Sequence, residues 1–205
     1  MIAHESTKSA FLFIGNYLCL DFVNTRILKA GNIVDMIGSF GGLAGWAAAA
    51  KVFPESKIKS ARTRWSTPAV RDCMSQALDL RSRMSVAVTR LSSGKQPSRE
   101  IVDAVNRVLE KRIGHTRVVR ERGQYKREFE AELNHPVQLI VPIAESFGDL
   151  LCYADPSLIK KCGNPECVLW FYDTTRSHTR RWCRMSSCGN RAKAAAHYRR
   201  QHGVG

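Results

Sequence analysis

Residues 162–191 read CGNPECVLWFYDTTRSHTRRWCRMSSCGNR, and the spacing of their cysteines decides how the end of the chain folds. Cys162/Cys167 and Cys183/Cys188 form C-x4-C-x15-C-x4-C, two pairs of equal internal spacing. Such a pattern brings two thiolates from each of two loops around one ion. Tetrahedral Zn2+ suits it best, because zinc accepts four soft or borderline ligands and imposes no geometry of its own. Three alternatives stand beside it. Disulfides need an oxidising compartment, an iron–sulfur cluster uses the same donors but at other common spacings, and the four thiols could be free. If zinc is held, four protein thiolates leave no position open for water, so its role is structural rather than catalytic.

Working outward, Val168 to Tyr172 is an apolar run that can form a strand over the metal. The run after Cys188, GNRAKAAAHYRR, is strongly helix-forming. That places the fourth cysteine at a helix start, where free N–H groups favour its thiolate. From Leu158 onward there are ten basic residues against Glu166 and Asp173, so this segment holds +8 of the formal +14. Even with the site counted as an anion of four thiolates and one Zn2+, the surface stays basic. The segment has too little apolar material to fold unaided, and a structural zinc contributes on the order of 10 kcal/mol toward folding such a module.

The rest of the chain reads as one mainly helical domain. With 205 residues and 44% apolar content it can bury a core. FLFIGNYLCLDFVNT places Gly15-Asn16 between apolar runs and predicts a short hairpin. Ser39 caps a helix carrying Leu43, Trp46, Ala47 and Ala50. The clearest helix has Thr67 as its cap, Pro68 at its first position and Gly94 as its stop, with Val70, Cys73, Met74, Ala77, Leu78, Met84, Val88 and Leu91 on one stripe. Ser98 caps a further helix with Ile101, Val105, Val108 and Leu109 facing inward. Two strands meet around Arg122-Gly123, with Val118, Tyr125 and Phe129 as the buried face. A last helix after Asn134-His135-Pro136 carries Val137, Ile140, Val141, Ala144, Phe147 and Leu151, with a kink at Pro142. Asp155-Pro156 closes this part, so the expected domains are 1–157 and 158–205. Cys19, Cys73 and Cys152 lie alone in apolar patterns and read as small buried hydrophobes. The expected class is α+β: a mostly helical first domain with small antiparallel hairpins, then a small treble-clef-like zinc module of a hairpin plus a C-terminal helix.

The segments CGNPEC, WFYDTTRSHTRRWC and CRMSSCGNRAKAAAHYRR resemble the CGNR zinc finger, a bacterial module named after the tetrapeptide found here at Cys188 to Arg191. The preceding region, from GNYLCLDFVNT, resembles the ABATE domain that accompanies this finger in a family described as stress-induced transcription regulators. The resemblance implies zinc at Cys162, Cys167, Cys183 and Cys188, and a DNA-binding role for the finger. Asp21 and Asn24, in the shared LDFVNT run, read as caps of a turn or helix rather than as catalytic groups.

The leading functional expectation is therefore a cytoplasmic DNA-binding regulator. Its N-terminal domain would sense a small-molecule effector or form a homodimer, and its finger would grip phosphate through Arg180, Arg181, Arg191, Lys193, Arg199 and Arg200. The cytoplasmic expectation rests on the first 22 residues, which lack a basic run followed by a long apolar one. An RNA-binding or ribosome-associated zinc module is the alternative, with Trp170, Phe171, Tyr172 and Trp182 stacking on unpaired bases. A thiol-based redox sensor that releases zinc on oxidation is a further alternative. An enzyme is not expected: no HExxH, GxSxG, P-loop or dinucleotide fingerprint occurs, and His4, His115, His135, His178, His197 and His202 are scattered.

Overall fold

The computed structural model describes residues 11–29 and 31–202; His4 lies outside them. In chain order the helices are α1 (Leu18–Val23), α2 (Phe40–Ala49), α3 (Glu55–Arg62), α4 (Thr67–Leu91), α5 (Arg99–Leu109), α6 (Val141–Tyr153) and α7 (Asn190–His202). The strands are β1 (Arg26–Lys29), β2 (Asn32–Asp35), β3 (Gly114–Glu121), β4 (Gln124–Ala131), β5 (Ile159–Lys161) and β6 (Trp170–Tyr172), paired as three antiparallel hairpins. The N-terminal region is mostly helical, and strand pairs, a cysteine cluster and a final helix make up the C-terminal part, an α+β arrangement.

Helix α4 is the axis of the core. Its cap is Ser66 rather than Thr67: the Ser66 hydroxyl accepts from Ala69 N–H at 3.4 Å, and Thr67-Pro68 form the first turn, where a missing N–H costs nothing. The stop is as expected, with Gly94 N–H returning to Leu91 O and Lys95 N–H to Arg90 O. Cys73, Ala77, Met84, Val88 and Leu91 face inward, joined by Leu80 and Ala87, whereas Leu78 lies outside. Val70 and Met74 sit at the margin. Helix α5 packs Ile101, Val105 and Val108 inward; it begins after Ser98, but that hydroxyl makes no cap bond. Helix α6 begins at Val141, so Pro142 falls in its first turn and produces no kink. The preceding 3-10 turn, Pro136–Leu139, is capped by His135, whose Nδ1 accepts from Val137 N–H at 3.3 Å.

The expected hairpin at Gly15-Asn16 does not form. Asp21 Oδ1 instead accepts N–H from Ile14 (2.8 Å) and Gly15 (2.7 Å), Asn16 turns the chain with φ of 65°, and the apolar run becomes α1. Six residues cannot hold a helix alone. Cys19, Leu20, Phe22 and Val23 are all buried, packed against α4 and α6, and each large apolar side chain contributes about 2 kcal/mol by leaving water. The hairpin in this part is β1–β2, with Ile27 opposite Val34 and Leu28 opposite Ile33. Its signal was present in RILKAGNIVD, two short runs with β-branched or aliphatic centres flanking Ala-Gly.

The β3–β4 hairpin forms where expected, with Arg122 (φ 49°) and Gly123 (φ 82°) supplying the positive φ values of its tight turn. Its expected buried face is only partly so. Phe129 is half-buried under the Arg112 guanidinium, 3.3 Å from the ring centroid, whereas Val118 and Tyr125 are 68% and 74% exposed. The reason is reach: the hairpin is anchored at its base, by Lys57 Nζ to Ala131 O (2.9 Å) and Glu132 N–H to Ile113 O, and its distal residues extend beyond the helices.

Strand β6 joins the two regions. Its Phe171 edge pairs with β5. Its other edge, the main chain of Trp170 and Tyr172, is taken by the N-terminal segment. Tyr172 N–H donates to Gly15 O at 2.9 Å, Asn16 Nδ2 donates to Tyr172 O at 2.8 Å, and the Asn24 carboxamide pairs with both groups of Trp170. No described helix is long and apolar enough to cross a membrane.

Candidate metal centre

Each cysteine is placed by a local device. Cys162 follows β5, and the next N–H, of Gly163, donates to Arg181 O at 2.8 Å. Asn164 closes the first knuckle: its Oδ1 accepts from Glu166 N–H, its carbonyl accepts from Cys167 N–H at 2.9 Å, and its Nδ2 points at Cys188 Sγ, 3.5 Å away. Cys183 N–H lies 3.4 Å from Cys162 Sγ. Cys188 sits in one wide turn, Met185–Gly189, that opens directly into α7. A Cβ at Gly189 would meet Met185 Sδ, so the exposed methionine packs over the glycine as the sequence stands.

All four sulfurs are buried and lie within 4.8 Å of one another. The Cys167–Cys183 and Cys183–Cys188 separations are 3.8 and 3.6 Å. Tetrahedral Zn–S bonds of about 2.3 Å put sulfurs about 3.8 Å apart, so the cluster already has the size of an S4 zinc site. The residues fit the ion: Cys162, Cys167, Cys183 and Cys188 are positioned to bind Zn2+, which when bound ties the two loops together. Hydrogen bonding from the neighbouring thiols, that of Cys183 foremost, holds the Cys167 thiol well below its ordinary value. Burial pushes Cys162 up, and the Cys167 contact followed by burial pushes Cys183 up. Bare, the cluster therefore holds protons that metal binding must displace. Arg191 Nη2 donates to Cys188 Sγ at 3.2 Å.

A small core supports the cluster. Leu169 and Phe171 of the apolar run lie against it, as that run's composition suggested, but Leu12, Ile14 and Ile27 from the N-terminal segment complete it. Their part was hidden in the sequence, since nothing local links positions 12–27 to the cysteines. Asp173, fully buried, accepts from Lys160 Nζ (2.8 Å), Thr175 N–H (3.0 Å) and hydroxyl (2.6 Å), and Arg180 N–H (2.9 Å). Burial opposes its charge, yet these donors outweigh that and hold its pKa well below the carboxylate range.

The six cations singled out in the sequence fall into two groups. Arg180 is half-buried and engaged: Nε donates to Trp182 O (3.1 Å), Nη2 to Cys183 O (2.6 Å) and Ile14 O (3.1 Å), with the guanidinium 4.0 Å from the Phe171 ring centroid. Arg181, Arg191, Lys193, Arg199 and Arg200 are exposed, and no ion pair to a carboxylate involves them among the described residues. Arg184, beside the cluster, is exposed as well. Asn16, Asp21, Asn24 and Lys160, the residues that fasten the segments, were not recognised as a set from sequence. Of the lone cysteines, Cys19 and Cys73 are buried as expected, whereas Cys152 is exposed.

Comparison with known families agrees with this geometry. A model described as "CGNR zinc finger" matches residues 159–201, and the ABATE model, described as "Putative stress-induced transcription regulator", matches residues 16–154. The chain belongs to the ABATE family. Both families are described in terms of regulation or metal-bound fingers, not of an enzyme activity. No curated protein matches this ABATE chain. The LDFVNT run that carries much of the resemblance supplies Asp21, Asn24 and Thr25, which fasten turns and strands: Thr25 takes an Arg81 hydrogen bond at 2.8 Å. Their roles are structural.

Proposed function

We propose that this protein is a DNA-binding transcription regulator in which residues 158–205 form the binding unit, held in shape by zinc, and residues 1–157 the regulatory unit. One observation carries the reading. Helix α7 leaves the metal centre with nearly every side chain in solvent, and its cations, with Arg181 and Arg184 beside the cluster, have no carboxylate partner among the described residues. Of the two acids in this segment, Asp173 is consumed internally by Lys160, and exposed Glu166 acts on Arg191 without forming an ion pair. A helix whose outer cations Lys193, Arg199 and Arg200 lie in solvent without a carboxylate partner among the described residues is suited to a polyanion, with Arg191 tied to Cys188 at its base. Arg181, Arg191, Lys193, Arg199 and Arg200 supply the phosphate contacts. Arg180, stacked on Phe171 and bonded to three carbonyls, contributes by holding the loop that presents Arg181.

An effector site is proposed in the groove of about 600 Å³ between β1 and the cluster, walled by Leu12, Ile14, Ile27 and Leu169 and lined also by Arg184, Arg191 and Glu166. An apolar ligand whose acid group meets Arg184 or Arg191 and stays clear of Glu166 matches that lining, and would touch regulatory and binding units at once. A homodimer through the helical unit is compatible with this arrangement.

Fluorescence anisotropy with a labelled duplex tests the reading. With about five phosphate contacts from the finger, log K falls against log salt with a slope of about −4 to −5 or steeper, and Lys193→Ala/Arg199→Ala/Arg200→Ala lowers both affinity and slope. A salt-insensitive complex, or stronger binding to structured RNA at the same salt, overturns it.

A further inference from the structure

The β3–β4 hairpin is charged asymmetrically. Residues opposite one another in an antiparallel pair share a face, so the register assigns His115, Arg117, Val119, Glu121, Gln124, Lys126, Glu128 and Glu130 to one side. Every acid of the hairpin is on that side, and each is answered there: Arg117 pairs with Glu128 and Glu130, Lys126 with Glu121, and His115 lies near Glu130. The other side carries Thr116, Val118, Arg120, Tyr125, Arg127 and Phe129 and has no acid. Arg120 lies 6.0 Å from the Tyr125 ring centroid, and neither Arg120 nor Arg127 has an ion pair among the described residues. Arg122 adds a third cation at the turn.

The same side exposes Val118 and Tyr125. A two-stranded ribbon with no packing is marginal in water, so this one relies on its clamped base and its ladder. An arm fixed at its root, cationic and aromatic on one side and with its acids ion-paired on the other, suits a partner that is anionic and presents a channel. A B-DNA major groove, about 12 Å wide and 8.5 Å deep, admits a two-stranded ribbon. Eight-residue strands span about 26 Å, enough to lie along such a groove with Arg120 and Arg127 toward the phosphates and Tyr125 toward the base edges.

We infer that the Arg120/Tyr125/Arg127 side of the β3–β4 hairpin is a second DNA-binding element, a groove-lying arm that acts with the zinc-bound helix. This inference rests on the DNA-binding reading above, and the experiment separates the two. The full-length zinc-loaded protein is titrated against a fluorescein-labelled random-sequence duplex at several salt concentrations. Three variants accompany it: Arg120→Glu/Arg127→Glu, Tyr125→Ala, and the charge swap Glu121→Lys/Lys126→Glu on the opposite side. Thermal melting shows that each variant is folded, as expected for exposed positions.

The expected result is that Arg120→Glu/Arg127→Glu weakens binding about tenfold or more and lowers the salt slope by about 2, the loss of two phosphate contacts. Tyr125→Ala weakens it by a smaller factor, and the charge swap leaves it unchanged. If the wild-type protein binds duplex and Arg120→Glu/Arg127→Glu binds with the same affinity and slope, the arm is refuted while the finger's role stands. If that variant keeps DNA affinity but changes sedimentation, the ribbon is an interface between copies and the inference is overturned. If the wild-type protein binds no duplex, both readings fall.

Discussion

The Asn24 carboxamide behaves as a strand neighbour of Trp170, accepting its N–H and donating to its carbonyl, each at 2.8 Å, across 146 residues of sequence. Both partners are buried, so neither can turn to water for a replacement. Asn24→Ala leaves two main-chain groups unpaired and is expected to cost about 3 kcal/mol. Asn24→Asp keeps the acceptor for Trp170 N–H but sets a carboxylate against its carbonyl, and is expected to be no better. Urea midpoints on zinc-loaded protein decide this; an Asn24→Ala midpoint equal to wild type would mean the joint contributes nothing.

Asp173 makes the zinc-bearing region sensitive to acid. Its folded pKa is depressed, so its ionised form contributes stability that is fully present above the ordinary carboxylate pKa of about 4 and is lost as pH falls toward the folded value. Asp173→Asn, which leaves Lys160 without its counter-charge, is expected to cost about 3 kcal/mol at neutral pH. The gap between wild type and variant should stay constant from pH 8 to about pH 5 and shrink below about pH 4. Chemical denaturation across that range reads the gap directly. A gap that widens on acidification contradicts the assignment.

A second buried charge sits in the helical core. Arg81, 5% exposed on α4, donates to both oxygens of Asp35 on β2 and to Thr25 Oγ1. Hydrogen bonding by Arg81, against some burial, holds the Asp35 carboxyl below its usual range. Removing one partner strands a charge, so Asp35→Ala should destabilise by about 3 kcal/mol, while Arg81→Met with Asp35→Leu should recover much of it. Equal losses from the single and the double variant would show that the pair matters by shape alone.

The helices of the core were legible because their signals are local: a 3.6-residue apolar period, a serine cap, a glycine stop. The cysteine cluster was legible for the same reason, since each pair lies within one short loop. What could not be read was set by distant partners. The run at 17–23 is equally apolar as strand or helix, and Asp21 decides by taking the N–H groups of Ile14 and Gly15. Arg81 is buried on α4 because Asp35 reaches it from another element, a pairing that nothing local in the sequence signals. Arg180 counted as one more cation; only the fold shows that Ile14, Trp182 and Cys183 carbonyls occupy it. Val118 and Tyr125 fitted an alternating strand, but alternation does not say whether a core lies beneath.

The seven cysteines should separate into three classes of reactivity. Cys152 is exposed and should alkylate readily at pH 8 in zinc-loaded protein, as a single adduct that Cys152→Ser removes. Cys19 and Cys73 are buried, their thiols pushed up to about 12 by burial foremost, and should react only on unfolding. Cys162, Cys167, Cys183 and Cys188 should be silent while the ion holds them and become reactive once a strong chelator removes it, because the loops then lose their tie. Intact mass after iodoacetamide treatment thus moves from one adduct to as many as five on chelation, and to seven in denaturant. A mass unchanged by chelation would show that the four thiols are protected by packing rather than by metal, and the shape of the basic surface would then have to come from Phe171 and its neighbours alone.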